Sequence, residues 1–170
     1  MTSPKDPSLP IDPDEVLAIV VASQGRRFLG MVSLGFLGVL LIYIALVQSP
    51  ALEWRLFLLV MGAGSIWMTD KMRRATATRI ELTSEVIRDS DGTVIARFED
   101  IDGMDRGFFA FKPSNGFLLR TREKAPNVWR PGLWWRLGRR IGIGGMTSAG
   151  QTKYMSEVLA ILMARRDMEP

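Results

Sequence analysis

The sequence predicts a membrane protein in two parts: a hairpin of two transmembrane helices, then an α+β domain of antiparallel strands closed by one C-terminal helix. Three observations predict it. Residues 28–47 are twenty residues without a charge. A second apolar run over 51–69 follows after only Gln48, Ser49 and Pro50. Beyond Ala75 the apolar period becomes alternating, with turn residues between short runs.

The twenty residues of the first run reach ~30 Å at ~1.5 Å per residue, the thickness of a bilayer's hydrocarbon core. The second run carries Glu53 and Arg55 near its start and is uncharged from Leu56 to Thr69. With the first turn included it is long enough to span, its two charges reaching for headgroups and Trp54 beside them at the interface. So short a link makes the helices antiparallel neighbours, and Pro50 suits the first position of the second. Small residues at Gly30, Ser33, Gly35 and Gly38, and again over 62–65, permit close helix approach, either within the hairpin or between copies. Orientation follows from flanking positive charge: Arg26 and Arg27 precede the first span, and Lys71, Arg73 and Arg74 follow the second. Both termini are therefore expected in the cytoplasm, with the chain multi-pass in a bacterial inner membrane. Asp6, Asp12, Asp14 and Glu15 upstream do not suit a cleaved basic leader.

Ahead of the hairpin, residues 1–11 are rich in Pro, Ser and Asp and read as disordered. Residues 12–25 read as a short amphipathic helix, with Asp12 as cap, Pro13 in the first turn and Glu15 at capping-box spacing. The hairpin with its flanks takes 26–74, and the cytoplasmic domain takes 75–170. In that domain Ser90-Asp91-Gly92 predicts a β-hairpin between 86–89 and 93–98. Pro113-Ser114-Asn115-Gly116 predicts another between 108–112 and 117–121, and 139–143 reads as a further strand. Tyr154, Met155, Val158, Leu159 and Leu162 fall at helical spacing, so 151–166 reads as a helix.

The segment Ile95-Ala96-Arg97-Phe98-Glu99-Asp100-Ile101 resembles the strand and aromatic–acidic–acidic–Ile turn of bacterial pleckstrin-homology-like domains. The order of elements over 75–166 is similar to that family's: a β-meander curved into a partial barrel, covered at one end by the last helix. The resemblance implies binding or assembly rather than catalysis, and it does not specify the ligand; no cofactor is expected.

Composition points the same way. The chain has no cysteine and no histidine, so a thiol nucleophile, a thiolate metal site and the commonest general base are all missing. Asp89-Ser90-Asp91-Gly92 lacks the ligands that a calcium loop needs at Ile87 and Phe98. Gly142-Ile143-Gly144-Gly145 has Thr147 where a dinucleotide fingerprint requires its last glycine. Neither a catalytic nor a metal site is expected. The alternative is a membrane-bound enzyme using Glu99, Asp100, Asp102 and Asp105 with a divalent metal; acids at a turn more often cap short helices.

Charge is unevenly spread. Eight acids against two bases occupy 81–105, and seven bases against one acid occupy 120–140. Within the basic part, 129–140 holds three of the five tryptophans and four arginines. Tryptophan favours the membrane interface and arginine favours anionic headgroups. Trp129, Arg130, Trp134, Trp135, Arg136, Arg139 and Arg140 are therefore the candidate contact residues. The expected partners are membrane lipids or a membrane or cytoplasmic protein, and not nucleic acid, because the stretch faces an anionic bilayer. The competing reading puts the tryptophans in the core. The charge flanks make one prediction directly: reporter fusions at residue 24 and at the C-terminus should both report cytoplasm, and a periplasmic signal from either overturns the hairpin.

Overall fold

The computed structural model describes residues 15–48, 50–105 and 113–168. Strand β1 (Ala18–Val21) leads into helix α1 (Gln24–Val47), which returns through α2 (Leu52–Ala75) to β2 (Arg79–Leu82). Then come β3 (Val86–Asp89), β4 (Val94–Arg97), a 3-10 turn (Phe98–Asp100), β5 (Ile101–Asp105), β6 (Phe117–Arg130), β7 (Trp134–Ile143) and α3 (Ala149–Met168). The strands form two antiparallel sheets, β1-β2-β3-β4 and β5-β6-β7. The class is α+β. The 1–11 segment and the expected strand over 108–112 lie outside the described residues.

Residues 12–14 of the amphipathic helix expected over 12–25 lie outside the described residues, and over the rest β1 corrects it. Residues 18–21 alternate buried and exposed, and Ala18 and Val20 pair with Leu82 and Ile80. The four-residue run Ala-Ile-Val-Val suits a strand, and the returning helices bring a partner edge beside it. An isolated bridge joins Ala22 to Thr147, and the Ser23 amide donates to the Met146 carbonyl at 2.7 Å. The helical hairpin is thus an insertion between two adjacent strands of one sheet, and the folded domain draws on chain from both sides of it.

The apolar runs 28–47 and 51–69 fall on α1 and, from Leu52 onward, on α2. The hairpin closes where two glycines face each other. A Cβ on Gly38 would lie 2.9 Å from the Gly62 carbonyl oxygen, and one on Gly62 would lie 2.9 Å from that of Gly38. These two small residues therefore serve packing within the hairpin. Ser65 and Thr69 donate to the Met61 and Ser65 carbonyls at 2.9 Å, which satisfies both hydroxyls inside the helix. Helix α2 starts at Leu52 with Ala51 as its cap, so Pro50 precedes the helix rather than opening it. Among the described residues one helix, α1, is long and apolar enough to cross a membrane by length and composition.

The β3–β4 hairpin forms as expected, with Gly92 at φ +89° in its turn. Asn115 takes φ +52° in the turn before β6, a conformation asparagine tolerates. Strand β6 pairs with β5 on one side and β7 on the other. The expected strand over 139–143 is the end of a longer one. The β6–β7 ribbon doubles back on itself: register shifts interrupt β6 between Arg120 and Val128, and Gly138 takes φ +59° opposite them. The two ends of β7 consequently meet, the Gly144 amide donating to the Leu133 carbonyl at 2.9 Å. Trp135 lies so close over Gly142 that a Cβ there would come within 2.4 Å of its ring.

One apolar core joins both sheets and α3, with Ile80, Leu82, Ile95, Phe117, Trp134 and Met155 among its fully buried members. Helix α3 runs from the turn before β6, where Thr152 Oγ1 donates to the Asn115 carbonyl at 2.6 Å, to the corner after β4. There the Arg166 guanidinium donates to the Ile101 carbonyl at 2.9 Å and lies over the Phe98 ring. Because Val20 is wholly buried against this core, losing β1 should cost about 2–3 kcal/mol from that side chain alone. A 75–170 fragment should therefore melt early by circular dichroism. A chain in which a short glycine-rich loop replaces 24–76 should restore the transition, and equal melting of the two would remove β1 from the fold.

Candidate functional site

The candidate contact residues sort by their elements. Trp134, the first residue of β7, is 2% exposed, and its indole nitrogen donates to Asp89 Oδ2 at 3.1 Å. The other Asp89 carboxylate oxygen is buried and has no partner among the described residues. Trp135 is half-buried over Gly142. The Arg136 guanidinium turns inward, donating to the Ile95 carbonyl at 3.1 Å and the Gly138 carbonyl at 3.2 Å. The expectation of a contact loop is corrected: the stretch is a β-ribbon, Trp134 belongs to its core, and the half-buried Arg136 spends its guanidinium on backbone carbonyls. A tryptophan can sit in a core when its N–H finds an acceptor, and Asp89 supplies one from 45 residues away.

Trp129 and Arg130 belong to the junction between hairpin and domain. Trp129 is 49% exposed. The Lys71 ammonium lies 5.1 Å from the centre of its ring and 4.8 Å from that of Trp67 on α2, so two aromatic faces hold one cation. Arg130 pairs with Asp91 in the β3–β4 turn. Partial burial works to raise the Asp91 carboxyl, but hydrogen bonds from Thr93 and the Arg130 charge outweigh it and hold it below the usual range. Arg26 reaches the Thr147 carbonyl at 3.5 Å, and Arg27 reaches that of Arg73 at 3.5 Å. Asp70 binds Arg73 and Arg74. Gly132, at φ +85°, sits against Thr76 at the end of α2, and Met146 packs on Gly30 of α1. Lys71, Arg73 and Arg74, the cations expected to follow the second span, are thus at this collar, while Trp54 stands exposed at the start of α2, at the hairpin's other end.

Arg139 and Arg140 lie elsewhere, at the bend of the ribbon. Arg120 and Arg140 are cross-strand partners, an unfavourable like-charge pairing relieved on one side by Asp105 at 3.6 Å from Arg120. Arg122, Lys124, Arg139 and Arg140 are exposed and have no carboxylate partner among the described residues, and Leu137 beside them is 60% exposed. By contrast Glu81, on β2, is buried between two arginines. The hydrogen bond from Arg79 holds its carboxyl below the usual range, partial burial opposes this, and the cross-strand Arg88 adds to the lowering.

The acidic group considered for metal chemistry is spread out. Glu99 and Asp100 stand on the 3-10 turn, Asp102 and Asp105 on β5, and Asp105 faces Arg120. Among the described residues no group of three or more acidic side chains is placed to hold a metal ion. The chain matches no protein-family model, no curated protein and no solved structure. The split of the Trp–Arg stretch is open to test by unfolding of the full chain in detergent. Trp134→Ala should cost about 3–5 kcal/mol as a core truncation, whereas Trp129→Ala should change stability by less than about 1 kcal/mol. Equal effects would contradict this placement.

Proposed function

We propose that the chain is a membrane-anchored, non-enzymatic binding module whose PH-like domain is held on the cytoplasmic face of a bacterial inner membrane. The observation that carries the reading is an apolar sleeve ending in a basic collar. The outer faces of α1 and α2 expose large apolar side chains such as Phe28, Phe36, Leu52 and Val60, each 67% exposed or more. Soluble monomers rarely expose contiguous apolar area of that extent. Helix α1 has the length and composition of a span. Helix α2 packs along it through Gly38 and Gly62, so it occupies the same depth. Arg26, Arg27, Lys71, Arg73 and Arg74 mark the end that stays in the cytoplasm.

Two antiparallel sheets around one core, with a last helix packed from the turn before β6 to the Phe98 corner, support the PH-like reading. The domain meets lipid headgroups at the collar through Trp129, and it offers the cations of the ribbon bend to an acidic protein partner. Replacing Arg122, Lys124, Arg139 and Arg140 with Gln tests this. In proximity labelling from native membranes, a discrete set of neighbours should disappear while resistance to alkaline extraction stays unchanged. Release of the unaltered chain by alkali, or a labelled set indifferent to the four changes, would overturn the reading.

A further inference from the structure

The hairpin carries a groove that the domain does not cover. It holds about 420 Å³ and is lined by Leu34 of α1 and by Val60, Met61, Gly64, Met68 and Trp67 of α2. Ser65 also borders it, with its hydroxyl already spent on the Met61 carbonyl. A Cβ built on Gly64 meets nothing within 4 Å, so the groove is open where that glycine stands. Val60, Gly64, Trp67 and Lys71 follow one another at four, three and four residues and form one stripe of the helix. The stripe is ~16 Å long, close to half of a ~30 Å hydrocarbon core. Its cytoplasmic end is the Lys71 ammonium between the Trp67 and Trp129 rings.

That ammonium has an unmet need. Aromatic faces attract its charge, yet its N–H groups have no carboxylate partner among the described residues. Asp70 beside it is taken by Arg73 and Arg74, so three cations here face one anion. An apolar groove from Val60 to Met68, with an under-neutralised cation one helical turn beyond it over the Trp67 ring, matches one molecule.

We infer that the groove of α2 holds one anionic phospholipid, an acyl chain lying along Val60, Gly64 and Trp67 and the phosphate accepting from Lys71. The inference rests on the membrane-embedded reading of the hairpin. Its occupant is a lipid rather than a second copy of the chain because a positive charge stands just beyond the groove over Trp67, and a second hairpin would bring the same charge to the same end.

The full chain reconstituted in phosphatidylcholine vesicles tests this, with brominated phosphatidylglycerol or brominated phosphatidylcholine added in equal amount. Quenching of Trp67 is taken as the difference from the Trp67→Phe variant. The glycerol lipid should quench it several-fold more than the choline lipid. Gly64→Leu, which fills the groove, and Lys71→Gln should each abolish the excess, and Lys71→Arg should keep it. Quenching that ignores headgroup and both variants would overturn the lipid site while leaving the anchor intact. No quenching of any tryptophan, Trp54 included, would instead overturn the membrane reading. The chain has no cysteine, so Gly64→Cys gives a lone reporter: rapid disulfide dimerisation in the membrane would assign the groove to a second copy and overturn the lipid.

Discussion

The pairing of β1 with β2 constrains the rest of the molecule. The strands are neighbours in one sheet, yet 57 residues separate Val21 from its partner Arg79, counting only those between them. Everything between must leave the sheet and return to the same level. Two helices of 24 residues each meet that condition, since equal lengths running antiparallel cancel. The reciprocal approach of Gly38 and Gly62 keeps them side by side, and the contacts of Met146 with Gly30 and of Gly132 with Thr76 seat the domain on their ends. Collar, sheet and hairpin are consequences of one closure rather than three separate designs.

The second organising feature is the folded β6–β7 ribbon. Its bend at Gly138 turns one long hairpin into two layers of wall, and the meeting of Leu133 with Gly144 closes it. Folding it inward places Trp134 on Asp89 and Arg136 on the Ile95 carbonyl, which ties the second sheet to the first. The charges that cannot be turned inward, at 122, 124, 139 and 140, gather where the ribbon bends. A stretch that is uniform in composition therefore ends with core at one point, collar at another and a solvated cationic edge at a third.

Much of this was legible where the signal is local. A charge-free run of bilayer length, Ser90-Asp91-Gly92 between β-branched residues, and the spacing of Met155 and Leu159 each report their own surroundings. Strand β1 was not legible, because the sequence Asp12-Pro13-Asp14-Glu15 reads as a helix start and the strand's partner lies beyond both helices. Trp134 was not legible either. A tryptophan beside arginines fits an interface as well as a core, and only the remote Asp89 decides between them. Of the candidate contact residues, Trp129 and Arg130 reach the hairpin's end because β6 carries them to Lys71 and Asp91, partners remote in sequence. Those within the ribbon depend on its bend at Gly138, which no run of apolar residues announces.

The order of elements has a consequence for how the chain is made. In a bilayer, β1 emerges from the ribosome before the anchor, and its partner only after α2 has come back through. Were α2 to fail to re-cross, β1 and the other six strands would be left on opposite sides of the membrane. The sheet could not then close. If the hairpin spans a bilayer as proposed, the return of α2 is a precondition of the domain's folding, and the β1–β2 pair can form only where both flanks of the hairpin lie on one side of the membrane. A mis-threaded chain would expose Ile80 and Leu82 along an open edge, a mark by which proteolysis can tell it from a finished one.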